Sequence, residues 1–358
     1  MATIPFFISH QGCPHTCSFC DQHIISGALG TLPTPDEICS RVDAWRAGAR
    51  GTPLEVAYFG GSFTALPRST QARLLSPLQP LLASGVVSSI RVSTRPDCLD
   101  GEQVAWLAAH GVRAIELGIQ SLEDRVLAAS GRGHDAAAGE RALSLVAGQG
   151  LEAVAQLMPG LPADNLSSSL DSLRRSIAAG ASFVRLYPAI VLRHTELERR
   201  VQEGSYHPLS LDDGIAWCKV LLHDAMNAGV TVLRIGLQAD AGLNDATIVA
   251  GPWHPAFGYL VRCELFYDLL CTLLAGSPAE EPVVVRCHPK RLSEVVGHCR
   301  RNLERLADAG RSRVKVQTDA ALPHGSIAIE SLRHNCNGDI LTDIKYNTTK
   351  ERICVKNP

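Results

Sequence analysis

Three cysteines in one short loop constrain this chain more than any other feature. The segment Gly12–Asp21 reads GCPHTCSFCD, which gives the spacing Cys13-x3-Cys17-x2-Cys20 directly after an apolar strand-like run, Ile4–Ser9. A compact loop of this kind can wrap soft thiolates around one [4Fe–4S] cube, and supplying three thiolates in place of four leaves one iron open. A zinc ion is the alternative. It would need a fourth protein ligand, for which His10 or His15 stands near in sequence. A loop of stray, unliganded thiols is the third reading. The chain has twelve cysteines in 358 residues. Met1–Ser9 lacks a basic start and a small-residue cleavage site, so reduced thiols, metal ligation and a cytoplasmic setting are expected in place of disulfides. Cys218, Cys263 and Cys271 stand alone among apolar residues and read as core thiols.

The position of the loop in the chain matters as much as its spacing. Strand-like runs recur at Leu54–Phe59, Ile90–Ser93, Ala114–Gly118, Ala153–Met158 and Phe183–Leu186. Helical segments fall between them at Asp36–Ala47, Ser69–Ala83, Gly101–His110, Ala136–Gln149 and Leu166–Ala179. This alternation indicates parallel βαβ units, and the strands show little hydrophobic/polar alternation, as expected when both faces are covered. Six such units predict an α/β fold, a partial (β/α)6 barrel of TIM type, over residues 1–200. Each strand is followed by a glycine-, proline- or polar-rich segment: the cysteine loop, GGSFT, TRPD, GIQS, PGLP and Tyr187-Pro188. In a parallel barrel these segments meet on one face, at the carboxyl ends of the strands.

Residues 201–358 read differently. Asp212–Ala228 and Val261–Ala275 are helical, Val230–Ile235, Pro282–Cys287 and Arg313–Gln317 are strand-like, and Ser293–Ala309 is a charged amphipathic helix. We expect a smaller α+β unit that covers the barrel mouth, with Trp253, His254 and Phe257 of the GPWHPAFG loop excluding solvent or meeting substrate. The polar tail from Asp343 is expected to be mobile. Cys287, His288, His298, Cys299, His324, His334, Cys336 and Cys354 are candidates for a second metal site, although their spacing is wide. The basic run Arg286–Arg301 reads as a solvated helix face, with contact to phosphates as the alternative. Formal net charge is −2, so no global positive field draws the chain to nucleic acid. No apolar run reaches membrane-spanning length.

CPHTCSFC resembles the signature of the radical S-adenosylmethionine (SAM) superfamily. YFGGSFTALP, STRPDCL, IELGIQSL, GRGH, QLMPGLP and RLYPAIVLRHTELERRVQEGSYHPLS resemble one branch of it, the radical SAM half of the Elongator catalytic subunit, from about residue 4 to residue 240. The resemblance implies a [4Fe–4S] cluster on Cys13, Cys17 and Cys20, and SAM bound at its open iron. It implies Phe19 near the adenine, and Gly60 and Gly61 where backbone approaches the methionine amino group. Ser93 stands where relatives often carry a ribose-binding carboxylate. Gln120, Arg132 and Gln156 match positions that reach ribose and methionine carboxylate. The implied activity is reductive cleavage of SAM to a 5′-deoxyadenosyl radical, with flavodoxin or ferredoxin as electron donor and tRNA as the candidate substrate. After residue 240 no glycine-rich pyrophosphate loop opens a helix, so acetyl-CoA chemistry of the Elongator kind is not expected. A small-molecule or protein substrate, as in the coproporphyrinogen-oxidase group, is the alternative, and a non-catalytic iron–sulfur scaffold is the alternative of another class.

Overall fold

Seven strands run parallel in one sheet of a computed structural model that describes residues 2–26, 31–49, 51–238, 242–244, 246–347 and 354–355. They are β1 (Ala2–Phe7), β2 (Leu54–Phe59), β3 (Val87–Thr94), β4 (Val112–Gln120), β5 (Glu152–Leu157), β6 (Phe183–Leu186) and β7 (Thr231–Ile235), and they neighbour one another in chain order. Parallel neighbours need crossover connections, and here helices supply them. The helix starts are written locally. Thr34, Asp100, Asp135 and Asn165 each accept a hydrogen bond from the backbone N–H three residues on, ahead of helices at Pro35–Gly48, Gly101–Ala109, Ala136–Gly148 and Leu166–Ala178. The expected continuous helix over 69–83 is broken instead into Arg68–Leu75, a short turn and Gln79–Ala83, because Pro77 and Pro80 cannot donate to the helix ladder.

The sheet is curved, and its concave face is polar. Arg185 on β6 donates to Glu116 on β4 at 3.0 Å, although the two strands are not neighbours, and its guanidinium lies 5.6 Å from the ring of Phe59 on β2. Contacts that skip strands require that this face curl inward. Arg91 completes a closed ion network, donating to Glu55 at 3.1 Å and to Glu116 at 3.5 Å, with all three side chains under 10% exposed. The other face carries apolar residues such as Val56, Tyr58, Ile90 and Ile115 against the helices.

The chain divides into two compact units, one formed by Met1–Leu209 with Val230–Pro252 and the other by Ser210–Gly229 with Trp253–Pro358. The expected boundary at residue 200 and the six-strand count therefore need correction. Val230–Ile235 forms a strand as expected, but it pairs with β6 as the seventh strand of the barrel sheet. The second unit holds a four-stranded sheet of Val283–Cys287, Val314–Thr318, Ser326–Glu330 and Asn335–Asp339, together with helices Leu211–Asn227 and Phe257–Leu274. Within it the expected helix 293–309 breaks at Gly297. This residue has φ +83°, and a Cβ there would meet the Asn302 side chain at 2.7 Å. The buried Asn302 amide in turn donates to the Cys263, Glu294 and Val295 carbonyls. Phe257 is buried in the core of this unit, and His254 stacks edge-on against His298. Of the tail, Tyr346–Asn347 pairs with Cys354–Val355. No helix among the described residues is long and apolar enough to cross a membrane.

Candidate active site

The loop after β1 is fastened to its neighbours chiefly through backbone. Gln11 N–H donates to Ile8 O at 3.0 Å, Ser62 N–H donates to Gln11 O at 2.8 Å, and Ser18 N–H donates to Ser130 O at 3.1 Å. The Gln22 carboxamide oxygen accepts from Gly61 N–H at 2.6 Å and also from His10 N–H, which joins the two ends of the loop to the turn after β2. At Gly61, with φ +59°, a Cβ would stand 2.4 Å from Gln11 O and 2.5 Å from Ile8 O. The glycine is thus required by close packing of the turn against the cysteine loop, whatever else binds there. At Gly60 the nearest atom to such a Cβ is Gln22 Oε1, at 3.3 Å.

This scaffold holds the three thiols as a group. Burial, and then the neighbouring Cys17 thiol, raise the pKa of Cys13, while burial with Cys17 and Cys13 beside it pushes Cys20 up to about 12. Ionising Cys13 and Cys20 therefore requires positive charge nearby. Arg132 supplies part of it, donating Nη1 to Cys17 Sγ at 3.2 Å. An iron–sulfur cluster would supply the rest, and its binding would release thiol protons. Among the described residues no three His, Cys, Asp or Glu side chains converge as they would on a single metal ion. His10 Nε2 accepts from Gln22 N–H, and the His15 ring packs on Gly133; among the described residues neither forms a three-residue metal group with the thiols. Phe19 is buried with Cys17 in an apolar cluster that includes Val126, Leu161, Val191, Leu197 and Tyr206, and Cys20 and Met158 pack against it. This cluster forms a dry wall beside the thiols. A cavity of about 300 Å³ opens next to Cys17 and Cys20, rimmed by Thr16, His194, Glu196 and Arg200.

Three more of the expected site residues gather beside this loop. β4 carries a bulge between Leu117 and Gln120, and Gln120 takes φ +66°, an uncommon conformation for a residue with a side chain. Its carbonyl is secured by Met158 N–H at 2.8 Å. The bulge turns the Gln120 amide toward Gln156, which donates to it at 3.4 Å. Arg132 also donates to the Gly118 carbonyl, and its Nε donates to His134 Nε2 at 3.3 Å. His134 is held neutral, its pKa lowered to about 4 chiefly by burial and then by the Arg132 charge. Ser93 is placed differently from the rest. Its hydroxyl lies 3.5 Å from Glu116 within the closed ion network, so the carboxylate at this level of the barrel stands on β4 and is already paired with arginine. Sequence reasoning missed Arg95, Cys98, Glu116 and Gln22. Arg95 and Cys98 lay inside the STRPDCL string, and their position just after a strand was the available signal.

The candidate second metal site is not assembled among the described residues. Cys287 is buried in its strand and Cys299 is exposed. His288 stacks on His324 at 4.1 Å, and His334 bonds the Leu273 carbonyl. The Cys354 side chain lies outside the described residues.

Residues 7–175 match the Radical SAM superfamily, and residues 181–266 match the Radical SAM C-terminal domain. The chain carries a radical SAM domain. Members of this superfamily bind a [4Fe–4S] cluster and SAM, and the thiol loop described above fits that cluster. The chain is similar to the Escherichia coli heme chaperone HemW, at 24% identity over 218 residues that cover 60% of this chain and 56% of HemW. It is similar to the Methanocaldococcus jannaschii tRNA uridine(34) acetyltransferase, at 27% identity over 257 residues that cover 60% of this chain and 47% of that protein. The chain thus spans about half the length of these curated relatives. Its fold is similar to that of the archaeal Methanocaldococcus infernus Elp3, with a TM-score of 0.59 at 19% identity over 74% of this chain and 62% of that one. The radical SAM half of the Elongator subunit is therefore the architecture this chain shares.

Proposed function

We propose that this chain reductively cleaves SAM and acts on RNA, with tRNA as the substrate class. One observation carries the reading. At the carboxyl end of the parallel strands, the thiol loop, Arg132 bonded to Cys17, and the Gln120–Gln156 amide pair converge on one site. When bound, the cluster and SAM supply one-electron cleavage of the SAM C5′–S bond. In this reading Cys13, Cys17 and Cys20 hold the cluster. Gln120, Gln156 and Arg132 bind and orient the ribose and methionine carboxylate, Gly60 and Gly61 offer backbone to the amino group, and the apolar wall around Phe19 excludes water near the adenine. Ser93 contributes through Glu116. Flavodoxin or ferredoxin supplies the electron. The tRNA substrate is supported by the likeness to the tRNA uridine(34) acetyltransferase. The similar likeness to HemW, with the net charge of −2, favours a second reading in which the same radical chemistry serves a small molecule or a protein.

Two measurements test this. Anaerobically reconstituted, reduced protein should convert SAM to 5′-deoxyadenosine and carry about four irons per chain. Replacing Cys13, Cys17 and Cys20 together with Ala should abolish both. A triple variant that keeps its iron overturns the ligand assignment. Modified nucleosides in tRNA should differ between deletion and parent strains. Identical nucleoside profiles, alongside intact SAM cleavage, would shift the substrate to the second reading.

A further inference from the structure

Arg95 follows β3 and is 3% exposed. Its Nε and Nη2 each donate to Asp97 at 2.9 Å, and Nη2 donates as well to the Arg132 carbonyl. This leaves Nη1 buried with no hydrogen-bond partner. A guanidinium stays charged, and leaving one of its donors buried without an acceptor is unfavourable. The arrangement is therefore one donor short of complete. Its surroundings place the residue beside the cysteine loop. Arg95 N–H donates to Ser62 Oγ at 3.3 Å, and Ser62 belongs to the turn bonded to the cysteine loop. The guanidinium lies within electrostatic reach of Cys13 and Cys17, and Cys98, three residues on, is a further sulfur beside it. Arg132, whose carbonyl Arg95 holds, already donates to Cys17. Two arginines, joined through the Arg132 backbone carbonyl, thus stand beside the thiols, one bonded to sulfur and one with a nitrogen free.

We propose that Arg95 is a positioning residue for the iron–sulfur cluster: its free Nη1 donates to the sulfur atoms gathered at Cys13 and Cys17, and its charge favours the cluster's reduced, more negative form. The inference rests on the reading of the cysteine loop as a cluster site. Asp97 balances the charge only in part, because it is 24% exposed and partly screened by water whereas Arg95 is not. The same bonds to Asp97 and to the Arg132 carbonyl aim the guanidinium.

The test is a reductive titration of the reconstituted protein, followed by the electron paramagnetic resonance of the reduced cluster, with iron content measured on each sample. Arg95→Gln should keep its iron but lower the reduced-to-oxidised ratio at a fixed potential about tenfold, a shift of ~59 mV to more negative potential for one electron. Arg95→Lys, which keeps the charge, should stay near the parent. Asp97→Asn, which frees the guanidinium charge, should move the midpoint the opposite way. If Arg95→Gln loses the cluster, the signs of the Lys and Asn variants decide the matter. An Arg95→Gln protein with full iron and the parent midpoint overturns the proposal. So does an Arg95→Lys protein displaced as far as Arg95→Gln, or an Asp97→Asn protein that fails to shift upward. Absence of iron from the parent protein would instead remove the cluster reading beneath it.

Discussion

Two polar networks share the strands of the barrel, and they are built on opposite terms. On the concave face, Glu55, Arg91, Glu116 and Arg185 pair with one another, and Ser93 and Thr3 bond the same carboxylates. At the carboxyl ends the network is open. Arg95 has a free nitrogen, the Gln120–Gln156 contact is long at 3.4 Å, and of the three thiols only Cys17 has an arginine bonded to it. Burial is similar in both, so it does not separate structure from function here. Between these two networks satisfaction does: the buried charges that pair serve the fold, and the buried arginine left one acceptor short stands beside the cysteine loop.

The comparison is broken most directly from its closed side. Arg91→Met would leave Glu55 with only the Thr3 hydroxyl and Glu116 with Arg185 and Ser93, which should cost about 3–5 kcal/mol, the range for removing one partner of a buried pair. Thermal unfolding should record a large fall, while iron loading of whatever protein folds remains at the parent level. Equal stability in Arg91→Met would mean that this network is no more structural than the open one. The next largest effect falls on the seam between the networks and the loop. Gly61→Ala places a Cβ against the Ile8 and Gln11 carbonyls in a left-handed conformation, so the cysteine loop must shift. Iron per chain should drop by more than half after reconstitution, with a smaller loss of global stability. A Gly61→Ala protein that loads iron fully but binds SAM weakly would return the glycine to a role in SAM binding alone.

How much of this could be read from sequence divides along the same line. The strands at Leu54–Phe59 and Phe183–Leu186 form at the expected residues, because apolar runs bounded by glycine and proline leave little choice. The cysteine spacing, and the turns that follow each strand, pointed to the carboxyl ends of the strands, where the structure brings the cysteine loop together with Arg132, Gln120 and Gln156. The seventh strand was found but assigned to the wrong unit. The helix that precedes it, Leu211–Asn227, belongs to the other unit, and a chain that leaves a domain and returns gives no local sign of doing so. The two helix breaks differ in the same way. Pro77 and Pro80 are visible locally, whereas the break at Gly297 is held by Asn302 from the far side of the turn. The role of Arg95 was hidden for a stronger reason. STRPDCL shows an arginine beside an aspartate, but which nitrogen remains unpaired depends on the Arg132 carbonyl, thirty-seven residues away in sequence.

The smallest expected effect concerns His134, which sits where the open network meets the fold. Its Nε2 accepts from Arg132 Nε, and burial with the adjacent guanidinium holds its pKa at about 4, below the usual 6.5. The folded protein therefore binds fewer protons than the unfolded chain between those two values, so stability falls as pH drops from 6.5 toward 4 and is fully present above 6.5. His134→Gln keeps an acceptor for Arg132 and removes the titration. Its unfolding temperature should decline less steeply than the parent's across that window, by a few degrees for each kcal/mol of proton linkage removed, and should nearly match the parent's above pH 7. Parallel curves for the two proteins would show that His134 is as accessible to protons folded as unfolded. The Arg132–His134 contact would then belong with the loosely held groups of the open network, and Arg132 would be steadied by Cys17 and the Gly118 carbonyl alone.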